Sequence, residues 1–247
     1  MREFDGRTAL VTGGARGIGR AVSESLGQAG AKVMVNYRRD RAAAEETARR
    51  IRDAGGEAAT CRADMGDPDE VHDLVDRTRK ELGPITLLVN NAAYTHLLTH
   101  DELTFDRWRR FMRTNVDGPF LTTWAARDDM VEAGGGAVVN VSSMGGIRGR
   151  ADMIGYGTSK AALNHFTRTA GMALAPLGIR VNAVAAGVVA TPRAETIDSA
   201  LRARLARDIP LGREGTAEEI ASVVCFLLSS AAAYVTGEVV VAAGGPA

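Results

Sequence analysis

Thr8-Ala9-Leu10-Val11-Thr12-Gly13-Gly14-Ala15-Arg16-Gly17-Ile18-Gly19 begins as an apolar strand, breaks at paired glycines and runs into an amphipathic stretch over 18–29. Strand, glycine turn and helix in that order form the context in which a glycine motif carries meaning. Glycine lets the backbone approach a pyrophosphate, and a helix starting near Gly17 offers unpaired N–H groups and the positive end of a dipole. A bare turn needs only one glycine. Gly13, Gly17 and Gly19, with Arg16 and Ile18 between them, predict a dinucleotide cradle.

The same rhythm continues outward from this stretch. Short apolar runs rich in β-branched residues lie at 8–12, 32–36, 57–61, 85–90, 137–141, 179–185 and 238–242, and helical periodicity fills 18–29, 41–54, 68–82, 105–132, 154–175 and 217–229. Alternation of this kind predicts an α/β fold, a doubly wound parallel sheet of about seven strands with helices on both faces. The residues 188–215 break the rhythm with a long connection carrying Arg193, Arg202, Arg204, Arg207 and Arg213. A connection of that length in a compact domain reads as a lid or binding loop with short helices of its own, against the plainer reading of a solvated charged helix.

The 247 residues with 45% hydrophobic content suffice for one large core, so a single domain over 1–247 is expected. Thirty basic and thirty acidic residues cancel, which gives no footprint for nucleic acid or a membrane surface. Cys61 and Cys225 lack a paired spacing and read as reduced core residues. No apolar run approaches the ~20 residues that span a bilayer, and Met1-Arg2-Glu3-Phe4-Asp5 has no apolar leader core. A cytoplasmic protein is the expectation. His96 and His100 read as loop-surface residues, and no metal-ligand spacing is present.

Tyr156 and Lys160 stand four residues apart, so a helix places phenol and ammonium on one face. A tyrosine near pKa 10 is a poor base at neutral pH, and each unit of lowering corresponds to about 1.4 kcal/mol in favour of phenolate. A lysine cation supplies that preference. The hydroxyl of Ser143 can then bind a carbonyl or alcohol while the tyrosine moves the proton.

The acidic side chain that would hold the ribose of NAD is missing where the second strand ends, at Val35-Asn36-Tyr37-Arg38-Arg39. Two arginines follow Tyr37 instead, and Arg16 can reach the same place from the glycine turn. Guanidinium groups favour a phosphate, so NADP(H) is predicted as cofactor. If one such contact contributes roughly 1.5 to 3 kcal/mol, the preference over NAD is on the order of tenfold to a hundredfold.

The order of Thr12 to Gly19, Asn90-Asn91-Ala92, Asn115, Ser143 with Tyr156 and Lys160, Arg180-Val181-Asn182, Gly187 with Thr191-Pro192, and Gly237 covers residues 6–245. In these residues the chain resembles the short-chain dehydrogenase/reductase family, most closely its 3-oxoacyl-carrier-protein reductases and related secondary-metabolite ketoreductases. The resemblance implies a single NADP-binding Rossmann domain that transfers a hydride between nicotinamide and a carbonyl or secondary alcohol. It makes Tyr156 the general acid and base, gives Lys160 the nicotinamide ribose, and makes Ser143, rather than Ser142, the carbonyl binder. Asn115 matches the residue that holds a relay water. Asp64 is implied at the adenine amino group, although a turn or cap role before Pro68 competes. Asn90 and Ala92 are implied along the adenosine, and Gly187, Val189 and Thr191 beside the nicotinamide. The substrate loop falls at 188–215. A homotetramer is implied, with a dimer as runner-up, through the helices over 105–132 and 154–175.

Departures from the family pattern are Ala186 in place of a proline, Ala93 in place of a glycine, and Ala243 in place of an acid. Losing the proline frees unfolded backbone by roughly 0.4 to 1 kcal/mol and removes no catalytic group. Basic residues expected of carrier-protein reductases are absent at Gly134-Gly135-Gly136 and Gly171-Met172, which weakens the carrier-protein reading and leaves sugar or alcohol dehydrogenases beside it. The pocket walls are expected at 94–98, 145–153 and the loop from Val188. A redox-inactive dinucleotide-binding sensor or scaffold is the alternative class, and damaged catalytic residues would favour it.

Overall fold

Each of the seven apolar runs becomes a strand of one parallel sheet: β1 (Thr8–Val11), β2 (Lys32–Tyr37), β3 (Glu57–Arg62), β4 (Ile85–Asn90), β5 (Gly136–Ser143), β6 (Ile179–Ala186) and, last in the chain, β9 (Val239–Ala242). The computed structural model describes residues 2–191 and 207–245. Strand order is β3-β2-β1-β4-β5-β6-β9, all pairs parallel. The order reverses between β1 and β4, and in open α/β sheets ligands sit outside the carboxyl ends of the strands at such a reversal.

Helices cover both faces. Val22 and Leu26 of α1 (Gly17–Gln28), Ala48 and Ile51 of α2 (Arg41–Asp53) and Ile220, Val224 and Leu228 of α7 (Ala217–Leu228) bury against one side of the sheet. Leu74 of α3 (Pro68–Leu82), Met130 of α5 (Gly118–Glu132) and Leu174 of α6 (Ile154–Leu174) bury against the other. Central strands are shielded on both faces, which is why they read as continuous apolar runs rather than alternating ones. Side chains fix the helix starts: Asp67 caps α3 ahead of Pro68, and Thr216 and Glu219 form a reciprocal capping box on α7.

The expectation of one helix over 105–132 is corrected. The stretch is α4 (Phe105–Met112) and α5 joined through a π turn at Arg113–Asp117. Two-residue strands β7 (Val189–Ala190) and β8 (Gly215–Thr216) pair in parallel, so the two ends of the 188–215 connection lie side by side. Pro192, Arg193, Arg202 and Arg204, together with the short helices expected there, fall outside the described residues. Arg180 donates to the carbonyls of Leu227, Leu228 and Ser229 at 2.6, 3.2 and 2.9 Å, and thereby closes the carboxyl end of α7 onto β6.

Candidate active site

The glycine turn is held open by its neighbours. Gly13 and Gly17 adopt φ of +62° and +55°, a region that side chains disfavour. A Cβ on Gly19 would collide with the Gly13 carbonyl oxygen and lie 2.5 Å from Asn91 Nδ2. Gly17 faces Thr191, whose Cγ2 would be 3.3 Å from an added Cβ, so the glycine turn and the start of the long loop border one crevice. These are the features of a backbone cradle that admits a pyrophosphate and leaves no room for side chains. Arg16, in extended conformation ahead of α1, is exposed, as is Arg39, while Tyr37 and Arg38 are half-buried at the end of β2.

Four residues apart on α6, Tyr156 and Lys160 share one face of that helix. Lys160 is buried, its Nζ donates to the Val141 carbonyl at 2.7 Å, and it lies 5.9 Å from the centre of the Tyr156 ring. Burial pushes the Lys160 ammonium down from 10.5 to about 8. Ser143 ends β5, and its Oγ accepts the Gly145 N–H at 3.1 Å, which leaves the hydroxyl proton to donate elsewhere. A Cβ on Gly145 would stand 3.6 Å from Ser143 Oγ and 3.7 Å from Tyr156 Cδ1, so both side chains flank this glycine. Ser142 turns the other way and donates to Asn164 Oδ1 at 2.5 Å.

Asn115 sits in the π turn, fully buried. Its Nδ2 donates to the Tyr94 carbonyl at 3.0 Å and to Ser159 Oγ at 2.9 Å, and its Oδ1 accepts the Tyr94 N–H at 2.8 Å. The amide thus ties the strand-end loop at Tyr94 to α6 and keeps the second lone pair of Oδ1 as its remaining side-chain acceptor. Single-turn π segments inside helices occur often at functional sites.

Comparison with known proteins agrees with this geometry. Residues 13–246 match the family described as Enoyl-(Acyl carrier protein) reductase. The chain belongs to the short-chain dehydrogenase/reductase family. Among curated relatives, the cis-4-hydroxycyclohexanecarboxylate dehydrogenase of Sinomonas cyclohexanicum is 39% identical over 98% of this chain and 97% of its own. A 3-oxoacyl-[acyl-carrier-protein] reductase of Synechocystis is 35% identical over 99% and 98%. Among solved structures, a 7α-hydroxysteroid dehydrogenase complexed with NADH and 7-oxo glycochenodeoxycholic acid superposes with a TM-score of 0.95 at 31% identity, over 98% of this chain and 95% of that one. A short-chain dehydrogenase of Burkholderia cenocepacia in complex with NADP gives 0.93 at 31%, over 98% of both. Short-chain dehydrogenase/reductases are oxidoreductases that bind NAD(H) or NADP(H), and this chain is one of them by sequence and by fold.

The other residues singled out from the sequence lie at the carboxyl ends of the strands or in the turns that follow them. Asp64 follows β3, where its carboxylate accepts the Gly66 N–H at 3.0 Å and lies 3.4 Å from Arg38 Nη1. A turn role is therefore present; the cap of α3 is Asp67 instead. Asn90 is buried, with its Nδ2 donating to Asn140 Oδ1 at 2.9 Å and its Oδ1 accepting the Thr122 hydroxyl at 2.7 Å, so its side chain is committed to the core. Ala92 is half-buried next to Gly13. Gly187 donates to the Ala242 carbonyl at 3.0 Å, and Val189 and Thr191 carry the chain away from β6.

Three residues quoted within the sequence motifs, but given no role of their own there, brace the glycine turn. Asn91 Nδ2 donates to the carbonyls of Thr12 and Gly13 at 3.0 Å each. Thr12 Oγ1 accepts the N–H groups of Asn91 and Ala92 at 3.0 Å each. Asn36 Oδ1 accepts the Gly13 N–H at 3.0 Å. A signal was present, since consecutive polar residues at the buried carboxyl ends of strands need partners. His100 is exposed beside Asp101, and His96 is exposed with its ring 4.5 Å from that of Tyr94.

Proposed function

We propose that this chain is an NADP(H)-dependent ketoreductase, a single domain over 1–247 with its substrate loop at 188–215, acting on a small carbonyl or secondary-alcohol substrate. The observation that carries the reading is the flanking of Gly145 by Ser143 and Tyr156, with Lys160 behind the phenol. The bound reduced nicotinamide supplies hydride. Ser143 keeps its proton and hydrogen-bonds the substrate carbonyl oxygen, Tyr156 transfers the one proton that becomes the alcohol, and the Lys160 cation favours the phenolate left behind. In the reverse direction Tyr156 takes that proton. Asn115 holds Tyr94 and α6 in register, with a relay water on its remaining acceptors.

The preference for NADP over NAD rests on Arg16, Arg38 and Arg39 and on the absence of a carboxylate at the end of β2. Asp64 is the adenine contact in this reading, with the Asn90 backbone and Ala92 along the adenosine and Gly187, Val189 and Thr191 at the nicotinamide. Related proteins are named for a free hydroxy acid and for carrier-bound acyl groups. A free substrate is favoured because the glycine positions 134–136 and 171 offer a carrier no charge.

A cytoplasmic location accords with two thiols outside any disulfide. Assembly as a homotetramer through α5 and α6 is supported by the ring cluster Phe120, Trp124 and Phe166, with centroids 4.7, 6.4 and 6.1 Å apart and the first two rings exposed. Light scattering of a monomer at micromolar concentration contradicts it.

The function is tested by following NADPH and NADH oxidation with 4-oxocyclohexanecarboxylate, an acetoacetyl thioester, a simple cyclic ketone and, in reverse, glucose. Turnover with at least one carbonyl and NADPH is expected. Cofactor binding without turnover of any of them returns the alternative of a dinucleotide sensor.

A further inference from the structure

Beyond the carboxyl ends of β5, β6 and β9 lies a cavity of about 590 Å³ with Met144, Ile147, Val188, Leu211, Val223 and Val241 in its lining. A second cavity of about 250 Å³ opens beside it under Gly145, Met153 and Gly157. Ile147 and Arg148 line both. The larger volume lies within the range of small-molecule sites, which join apolar walls with a few placed polar groups. Ser143 and Tyr156 are not in its lining; the link to them is the smaller cavity, which Gly145 lines, the glycine that Ser143 and Tyr156 flank, so an apolar substrate whose carbonyl meets Ser143 would extend past Gly145 toward Ile147 and Arg148.

The charges around this cavity are not equivalent. Arg150 is paired with Asp152 at 2.7 Å, and Arg213 with Glu219 at 2.6 Å. Arg110 stands off the cavity, 4.6 Å over the Tyr94 ring. The Arg148 side chain makes no hydrogen bond or ion pair among the described residues. Its backbone is fixed nonetheless, because the N–H groups of Ile147 and Arg148 both donate to the Met144 carbonyl at 2.9 Å. An exposed arginine on a tight turn five residues after Ser143, in the lining of both cavities and with an unpaired side chain among the described residues, can offer its guanidinium to a carboxylate in bidentate fashion.

We propose that Arg148 anchors the carboxylate of an otherwise apolar keto acid whose ketone is presented to Ser143 and Tyr156. The substrate class is then a monoanionic keto acid, or in the reverse direction a hydroxy acid, and the assignment of the reacting end rests on the ketoreductase reading. Neutral ketones of the same shape fit the walls and lose the anchor.

The test compares wild type with Arg148→Gln and Arg148→Lys, each loaded with NADPH, on 4-oxocyclohexanecarboxylate and its methyl ester. Removing a charge-assisted contact should lower kcat/KM for the acid by about tenfold to a hundredfold. The ester should be unaffected by Arg148→Gln, and Arg148→Lys should recover part of the loss as a point charge without the fork. Binding of cyclohexanecarboxylate and its methyl ester to the NADPH complex, followed by ligand-observed NMR, supplies a readout that needs no turnover. Loss of the acid alone in that titration supports the anchor even if no ketone is reduced, in which case the ketoreductase reading fails and the site stands. Equal losses for acid and ester, or no loss for either, overturn the proposal. Thermal unfolding of both variants within the wild-type range excludes a folding defect as the cause of an acid-specific loss.

Discussion

The Lys160 ammonium lies 5.9 Å from the centre of the Tyr156 ring while donating to the Val141 carbonyl at 2.7 Å. One cation thus bridges the phenol on α6 and the carboxyl end of β5, the strand that also delivers Ser143. The position is dry, and burial draws the ammonium down to about 8. A charge in such a place acts strongly on its neighbours because little water screens it.

Tyr156→Phe should abolish ketone reduction and leave NADPH affinity nearly unchanged, because the hydroxyl acts on substrate. General acid-base assistance contributes about 10²- to 10⁴-fold, so a loss of that size in kcat is required. Lys160→Ala should damage both turnover and cofactor affinity. Steady-state kinetics and a fluorescence titration of each variant decide this, and a Tyr156→Phe protein that keeps most of its turnover refutes the mechanism.

The same lysine predicts a pH dependence of stability. Its folded pKa of about 8 lies below the ordinary 10.5, so between these values the unfolded chain holds the proton and the folded chain does not. Stability from this group therefore rises as pH climbs from about 8 towards 10.5, by about 3 kcal/mol at most. Thiols work the opposite way, since burial raises Cys225 to about 11 and Cys61 is raised as well. The lysine contribution is isolated by urea unfolding of cofactor-free protein at pH 7.5 and 9.5 beside Lys160→Met. Wild type should gain on the variant as pH rises, and parallel curves contradict the assignment.

The sheet was legible because each of its strands is an apolar run bounded by turns, and β1 with its glycine turn declared the topology. The π turn at Arg113–Asp117 was not legible. Asn115 within it reaches Tyr94 and Ser159, partners 21 and 44 residues away, while the helical periodicity of 105–132 continues across it. Asn90 shows the opposite limit: its place in the Asn-Asn-Ala motif was readable, but its side chain points to Asn140 and Thr122 in the core. Motif spacing locates a residue on the chain and does not say which of its groups faces the ligand.

Asn91→Ala should separate cofactor affinity from chemistry. Two part-buried turn carbonyls, those of Thr12 and Gly13, lose a donor, which costs about 1 to 3 kcal/mol and loosens the glycine cradle. The midpoint of unfolding should fall and the KM for NADPH should rise, with kcat at saturating NADPH near wild type. A fall in kcat with unchanged KM places Asn91 in the chemistry instead.

Arg38→Leu tests the choice of cofactor. Arg38 and Asp64 are paired at 3.4 Å with side chains 29% and 37% exposed, and pairs so placed contribute about 0 to 1 kcal/mol. Such a weak bond yields readily to a ribose phosphate, which carries more charge and more acceptor oxygens than the carboxylate. The variant should bind NADPH about tenfold to a hundredfold less tightly and NADH almost as before. Fluorescence titration with both cofactors gives the ratio directly. Equal losses for the two would assign Arg38 to the shared adenosine, and tighter NADH than NADPH binding in wild type would overturn the NADP preference itself.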